Sequence, residues 1–191
     1  MFHKLIFIFT LLLATNTAFA QWTLDNTKSS IHFISIKKSK VAESHHFKKM
    51  QGSINNKGDI TLDIDLSSVE TKIPIRNDRM KTVFFETSQF STAQITASIN
   101  PNKLAKMKVG DAFTVLLKVK LSLHDLKKSI AANVNVVKLS DNRLFATTVT
   151  PIIVNAADYA LAEGIEKLRT IAGLTSISLA VPVTLNLYFN P

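Results

Sequence analysis

The feature of this chain that most constrains its fold is the alternation of apolar and polar side chains over long segments. Residues 113–124 (FTVLLKVKLSLH), 177–189 (ISLAVPVTLNLYF) and 60–66 (ITLDIDL) each carry apolar side chains at every second position. Successive side chains of a β-strand point to opposite faces, so the pattern predicts strands with one apolar face. About eight or nine such segments are separated by short turn sequences, which predicts an all-β protein of antiparallel hairpins.

The length of these segments favours a closed barrel over a sandwich. Strands of about 11–13 residues are long for a sandwich, and antiparallel neighbours favour closure, so we predict an antiparallel eight-stranded barrel. A barrel of this size either fills its interior with side chains or keeps a cavity for one ligand. Alanines 97, 132 and 146 among larger residues favour a roomy apolar interior. The candidate lining residues are Phe33, Leu62, Ile64, Phe84, Phe85, Ile95, Val119, Leu121, Val134, Leu185 and Leu187.

Two segments break the alternation and predict helix. Residues 158–173 carry apolar side chains at helical spacing, with Asp158 as a candidate N-cap and Gly173 as a candidate C′ residue. This predicts an amphipathic helix near residues 160–172 that packs on the barrel. Residues 73–86 (IPIRNDRMKTVFFE) combine charged residues with a run of apolar ones. For these we predict a short helical plug near residues 76–85.

The first residues of the chain predict secretion. Lys4 precedes the apolar run LIFIFTLLLA, and Ala18 and Ala20 have the spacing of a signal peptidase site. We interpret residues 1–20 as a signal peptide cleaved after Ala20, which leaves one domain over residues 21–191. The chain contains no cysteine, so it forms neither disulfides nor a cysteine-based lipid anchor. Together these features predict a periplasmic protein.

The sequence shows no catalytic or metal-binding constellation. It lacks the motifs of nucleophile elbows, zinc proteases and phosphate-binding loops. Ser122 and His124 would share one face of a strand about 7 Å apart, which is too far for a hydrogen bond. His45 and His46 are adjacent and face opposite sides of an extended chain, so they do not bind one ion together. We predict a binding protein with no catalytic residues, no metal and no required cofactor; the role of the two histidines stays open.

The chain is basic, with a formal charge of +9. A secreted protein rarely meets nucleic acid, so we expect no such partner. The densest positive stretch is either a solvated face or a site of transient contact with anionic lipid headgroups. It comprises Lys37, Lys38, Lys40, Lys48 and Lys49. The sequence leaves the oligomeric state open.

Four segments in order along the chain resemble the YceI-like family of bacterial periplasmic proteins. They begin with WTLDNTKSSIHFISI and the following residues to GSI, then IDLSSVETKIPIRNDRMKTVFFE, LSLHDLKKSI and the final segment from VNAADYA to NLYF. The resemblance implies a lipocalin-like antiparallel barrel that holds a long isoprenoid chain, such as a polyprenyl phosphate or a quinone. Many relatives carry glycine just before Phe47, where this chain has histidines. The family supplies no catalytic residues to transfer.

Two roles are open for the arginines of the plug. Arg76 and Arg79 share one side of a helix, so they could contact the polar head of an amphiphile while the phenylalanines contact its tail. Alternatively the plug is structural, and the arginines pair with a strand carboxylate such as Asp63 or Asp65.

For the whole protein, the main hypothesis is a periplasmic carrier of an isoprenoid amphiphile. The alternative is a small integral outer-membrane β-barrel, because alternation does not say which face of a barrel is inside. Two features argue against that alternative. The chain carries only Trp22, Tyr159 and Tyr188 for the aromatic girdles of such barrels. The predicted helix also has a polar face, which we expect to be exposed to solvent.

Overall fold

The structure, a computed structural model, describes residues 22–191 as an antiparallel β-barrel with short helices. The predicted signal peptide lies outside the described residues. In chain order the strands are β1 (Trp22–Leu24), β2 (Ser30–Lys37), β3 (Val41–Phe47), β4 (Met50–Ile54), β5 (Asp59–Asp65), β6 (Val69–Glu70), β7 (Thr92–Ser98), β8 (Ala112–Leu123), β9 (Leu126–Lys138), β10 (Leu144–Thr148), β11 (Ile152–Asn155) and β12 (Ala180–Asn190). The α-helices are α1 (Pro74–Arg79), α2 (Pro101–Ala105) and α3 (Ala162–Ile171).

The sheet closes on itself through eight strands. Its order is β1, β4, β5, β7, β8, β9, β10 and β12, and β12 pairs again with β1. The remaining strands extend this ring: β2 pairs with β12 beside β1, β11 pairs with β12 beside β10, and β3 joins β2 to β6. The predicted antiparallel eight-stranded barrel is therefore confirmed.

The apolar faces of the strands point into the barrel. On β8, Leu117, Val119 and Leu121 are buried, whereas Lys118 and Lys120 between them are exposed. β8 and β9 form one long hairpin, paired from Ala112 with Val137 to Leu123 with Leu126. Alternation thus sorts each strand into an inner apolar face and an outer polar face.

The helical plug lies where the sequence predicted it. Pro74 begins α1, and its fixed φ suits a first helical turn. A π-helical segment, Met80–Phe84, follows directly, and the Phe85 N–H donates to the Met80 carbonyl five residues earlier. Met80, Phe84 and Phe85 are buried. The plug therefore anchors itself in the barrel through its C-terminal half.

The amphipathic helix is also confirmed, as α3, but its predicted N-cap is wrong. Asp158 lies in a separate 3-10 turn, Ala156–Tyr159, and Leu161 occupies the N-cap position of α3. The two helical segments are separated at Ala160, whose φ of 56° is left-handed. Gly173, with a φ of 61°, follows the C-cap Ala172 as predicted. In residues 22–191, none of the helices has the length and apolar character needed to cross a bilayer.

Candidate ligand-binding cavity

The barrel encloses an apolar cavity of about 440 Å³ under the plug and α3. Most of its wall is aliphatic or aromatic and comes from β2, β3, β5, β7, β8 and β12. The predicted lining residues that contribute to this cavity are Phe33, Ile64, Phe84, Phe85, Ile95, Val119, Leu121 and Leu185. The expectation of a roomy interior is met.

A second apolar cavity of about 90 Å³ adjoins the first. Ile95, Val119, Ile152 and Leu185 line both spaces, so the two are neighbours along the barrel axis. The remaining predicted lining residues, Leu62, Val134 and Leu187, face this smaller space, as do Ala97, Ala132 and Ala146. The alanines thus lie where the interior is left partly unfilled. That the lining residues contact a ligand stays a prediction.

A run of aromatic rings forms one wall of the larger cavity. The ring centroids of Phe33 and Phe47 are 5.3 Å apart, those of Phe47 and Phe85 are 5.8 Å apart, and those of Phe85 and Phe84 are 4.6 Å apart. These distances fall in the range of favourable aromatic pairs. The contacts join strands β2 and β3 to the plug. The plug therefore completes the wall of the cavity.

The cavity opens to the surface between α1 and the segment after α3. Ile73 and Ile75 line the cavity and are 42% and 57% exposed. Leu174, in the segment after α3, also lines it. The β2–β3 turn lies beside this opening, because the Lys38 N–H donates to the Ser176 carbonyl at 2.9 Å. We call the exposed residues Lys38, Lys40, Ile73 and Ile75, with Leu174, the mouth surface.

The polar side chains of the cavity gather at one end. Glu43, His45 and Phe47 alternate along β3, so they share its inner face. His45 is only 4% exposed, and its Nε2 lies 2.8 Å from the Ser35 hydroxyl. Burial, with a smaller contribution from the nearby Arg76 charge, lowers the pKa of His45 to about 4. His45 is therefore neutral at physiological pH.

Arg76 ties the plug to β3. One terminal nitrogen donates to Glu43 Oε2 at 2.8 Å, and the other donates to the Thr71 carbonyl at 2.6 Å. Lys37 Nζ lies 2.8 Å from the same Glu43 oxygen. The hydrogen bond from Lys37, together with the Arg76 charge, lowers the pKa of Glu43 despite its partial burial. Two cations thus share one carboxylate at the polar end of the cavity.

Arg76 pairs with a strand carboxylate, as the structural alternative predicted, but the two examples named there, Asp63 and Asp65, are not its partners. Asp63 accepts from the Gln94 side chain, and Asp65 caps the turn at Ser67. Both lie on strand β5, whereas the partner of Arg76 is Glu43 on β3. The Arg79 side chain lines the same cavity and makes no hydrogen bond or ion pair with any residue in 22–191. Its role at a ligand head stays a prediction.

The basic stretch does not form a single patch. Lys38 and Lys40 lie in the turn before β3, whereas Lys48 and Lys49 follow its other end. The seven residues of β3 separate the two pairs by about 25 Å. Lys37 pairs with Glu43, and Lys48 pairs with Glu70. Of the two pairs of lysines, only Lys38 and Lys40 lie beside the mouth of the cavity.

Comparison with known proteins places the chain in a family. The YceI-like domain matches residues 22–189. The chain belongs to the YceI-like family. This confirms the resemblance, and none of the curated proteins compared with the chain matches it.

Two solved structures show how closely this YceI-like protein resembles others. A polyisoprenoid-binding domain from Saccharophagus degradans, implicated in plant cell wall breakdown, is 38% identical with a TM-score of 0.86, over 88% of this chain and 97% of that one. BcnA from Burkholderia cenocepacia is 15% identical with a TM-score of 0.64, over 86% of this chain and 98% of that one. At that identity, BcnA shows the shared fold alone.

Sequence reasoning missed the polar end of the cavity in this YceI-like protein. Ser35, Glu43 and Thr71 were not singled out, and His45 was left without a role. The usable signal was the spacing of Glu43, His45 and Phe47, which places all three on one strand face. Among residues 22–191, no group of three or more potential ligands could hold a metal ion.

Proposed function

We propose that this YceI-like protein is a periplasmic binding or carrier protein that holds an amphiphilic lipid with a long isoprenoid tail. The observation that carries this proposal is the apolar cavity of about 440 Å³ inside the barrel. Its volume falls within the range of about 300–1,000 Å³ typical of small-molecule sites. The Saccharophagus degradans relative is named for polyisoprenoid binding. The predicted signal peptide supports the periplasmic location.

The distribution of polarity in the cavity suits an amphiphile. Nearly all of the wall is apolar, and each methylene that leaves water for such a wall gains about 0.8 kcal/mol. The polar groups of Ser35, Glu43, His45 and Arg76 lie together near one end. A tail therefore fits the body of the cavity, and a polar head fits beside β3.

Two further features support a carrier over the alternatives. The outward side chains of β8 include the exposed Lys118 and Lys120, whereas an outer-membrane barrel presents an apolar face to lipid. Arg76, Glu43 and Lys37 line the cavity and are bound to one another, and Arg76 also binds the Thr71 carbonyl. These bonds hold the plug, which favours a binding role over catalysis.

We also propose that the mouth surface touches anionic membranes transiently. Ile73 and Ile75 are exposed at the opening of the cavity, and Lys38 and Lys40 lie in the β2–β3 turn, which is bonded to the segment after α3 at the same opening. Apolar side chains next to lysines match the boundary between acyl chains and anionic headgroups. Docking there would bring the cavity opening to its lipid source.

The test of the main proposal is the lipid content of protein purified from a periplasmic extract without detergent. Native mass spectrometry should show the chain with a bound isoprenoid lipid. Ala93 lines the cavity, so Ala93→Phe should remove most of that lipid. Ala131 on β9 is exposed and lines neither cavity, so Ala131→Phe is the matched control and should keep it. Wild-type protein without lipid, in extract and after incubation with isoprenoids, would contradict the proposal.

A further inference from the structure

Two histidines from different parts of the chain meet on the outer face of the barrel. His32 on β2 lies directly opposite His46 on β3, and their ring centroids are 5.7 Å apart. The residues on either side of each histidine are buried, namely Ile31, Phe33, His45 and Phe47. Because successive side chains of a strand point to opposite faces, both histidine rings point outward. Both residues are half-buried, so solvent reaches them.

The two rings take no part in the binding site inside the barrel, because neither residue lines either cavity. Among residues 22–191, the histidine rings that hydrogen-bond to another residue are those of His45 and His124. The ring nitrogens of His32 and His46 therefore have no protein partner in this part of the chain and are available to a ligand from solvent. Neutral imidazole is the commonest metal ligand among protein side chains.

The surroundings of His46 favour the neutral ring that a metal requires. Burial, followed by the charge of the nearby His32, lowers the pKa of His46. A metal ligand must be deprotonated, so this ring is ready to bind at pH 7.5. Glu70 lies opposite His46 on β6, where its carboxylate pairs with Lys48 and accepts from the Asn77 amide. This carboxylate balances the Lys48 charge, which would otherwise repel a cation, and is not itself free to act as a ligand.

We propose that His32 and His46 together bind a divalent transition-metal ion through one nitrogen of each ring, and that Cu²⁺ is the ion that fits best. Among divalent first-row metals, the affinity of nitrogen and oxygen ligands is highest for Cu²⁺. The described residues contain no group of three or more potential ligands for one metal ion, so water completes the coordination. Two ring nitrogens with water oxygens form the tetragonal set that is typical of Cu²⁺ or Ni²⁺.

The distance between the two rings fits a shared ion after a small movement. Two imidazoles in neighbouring positions around one ion, each with a nitrogen about 2 Å from it, have ring centroids roughly 4.5–5 Å apart. Side-chain rotation that brings the rings closer than their present 5.7 Å by about 1 Å is therefore enough. Directly opposite residues of an antiparallel pair have Cβ atoms about 4.5–5.5 Å apart, so the backbone does not have to move. Side chains that reach solvent change rotamer readily.

The experiment titrates Cu²⁺ into metal-free protein, purified without an affinity tag, at pH 7.5 and follows binding by isothermal titration calorimetry. The wild type is compared with His32→Gln, with His46→Gln and with the control His124→Gln, which removes one histidine from the β8–β9 turn. We expect the wild type to bind one Cu²⁺ per chain. Each of the first two variants should bind the ion roughly tenfold or more weakly, because one of its two protein ligands is lost. The control should bind it as tightly as the wild type. Equal affinities in all four proteins, or a loss in only one of the first two variants, would overturn the proposal.

A measurement on the wild-type protein alone covers the case in which a variant does not fold. Cu²⁺ is paramagnetic, so it should broaden the imidazole NMR signals of His32 and His46 at lower metal concentrations than the signal of His124. Electron paramagnetic resonance should show two nitrogen ligands on the bound ion. A wild type that binds no Cu²⁺, a signal of His124 that broadens first, or a bound ion with a single nitrogen ligand would each overturn the proposal. None of these outcomes bears on lipid binding, because neither ring lines the cavities.

Discussion

Arg76 and Arg79 lie one helical turn apart in the plug but have different surroundings. Arg76 is bound to Glu43 and to the Thr71 carbonyl, so it joins α1 to β3. Arg79 lines the cavity near its opening and has no partner in residues 22–191. The sequence placed both on one helix side, which is correct. It could not distinguish them, because the partner of Arg76 is 33 positions away in the chain.

Single substitutions should separate the roles of these arginines. Arg76→Ala leaves the partly buried Glu43 with Lys37 alone, so the free energy of unfolding should fall by about 1–3 kcal/mol. Arg79→Ala removes a half-buried side chain without a protein partner and should change the free energy of unfolding by less than about 0.5 kcal/mol. Urea unfolding measures both. Equal losses of stability would show that Arg79 also has a structural role, and reduced lipid content in Arg79→Ala alone would support a contact with the ligand head.

His45 should make stability depend on pH. Its pKa is about 4 in the folded protein and about 6.5 when exposed, so the unfolded chain takes up the proton first as the pH falls. Stability is therefore complete above pH 6.5 and is lost between about 6.5 and 4, by about 2–3 kcal/mol at pH 4.5. The charges around it are Arg76, Lys37 and His46, which favour the neutral ring, and Glu43, which opposes them.

His45→Gln tests this dependence, because glutamine keeps polarity without titrating. Urea unfolding at pH 7.5 and pH 4.5 should show a smaller loss for the variant than for the wild type. The difference between the two losses isolates His45, since the other titrating groups are common to both proteins. Identical losses would show that His45 is protonated with little cost inside the barrel.

At the scale of elements, alternation of apolar and polar residues predicted a strand reliably wherever one face of the strand is exposed to solvent. β5, β8 and β12 satisfy that condition and were predicted with nearly correct limits. Most of β3 was not predicted, because Glu43 and His45 put polar groups on its inner face and cancel the pattern. Its position is set by pairing with β2, from Lys37 with Val41 to His32 with His46. Register between strands is information that a single segment does not carry.

The contact between α3 and the plug depends on a glycine. A Cβ on Gly164 would lie 3.2 Å from Phe84 Cδ2 and 3.3 Å from the Val83 carbonyl oxygen. Gly164→Val should therefore push α3 off the plug and lower the free energy of unfolding by about 1–3 kcal/mol. Gly164→Ala should cost less, since alanine favours helix and the Phe84 ring can yield by a few tenths of an ångström. Thermal unfolding distinguishes the two; a Val variant as stable as the wild type would contradict the close packing.

At the scale of the whole molecule, barrel closure explains both what was predictable and what was not. The inward residues of an eight-stranded barrel must share one interior, so all the predicted lining residues face one of the two cavities. Closure also sets distant polar groups side by side. Glu43 and the stretch from Thr71 to Arg76 are far apart in the chain and meet only because the plug returns to the edge of β3. No local sequence pattern predicts that contact, so the polar end of the cavity could be recognised only in the structure.

The orientation of the whole molecule at a membrane can be tested with two matched pairs of lysines. Lys38 and Lys40 lie at the mouth surface, and Lys48 and Lys49 lie about 25 Å away at the other end of β3. This separation exceeds the Debye length of about 8 Å at physiological salt, so each pair should feel a membrane separately. Reversing either pair to glutamate changes the net charge by the same amount. Only the reversal of Lys38 and Lys40 should abolish the attraction of the mouth surface to anionic headgroups.

The assay is sedimentation with vesicles of neutral lipid alone and vesicles containing anionic lipid. Wild-type protein should bind only the anionic vesicles, and more weakly as salt rises. The Lys38→Glu, Lys40→Glu double variant should lose binding roughly tenfold or more, since each lysine near an anionic surface contributes about 1 kcal/mol. The Lys48→Glu, Lys49→Glu variant should retain most of it. Equal losses in both variants would mean that net charge drives binding and that the protein has no preferred orientation at the membrane. If the wild-type protein bound neither kind of vesicle, the proposed contact of the mouth surface with membranes would be contradicted.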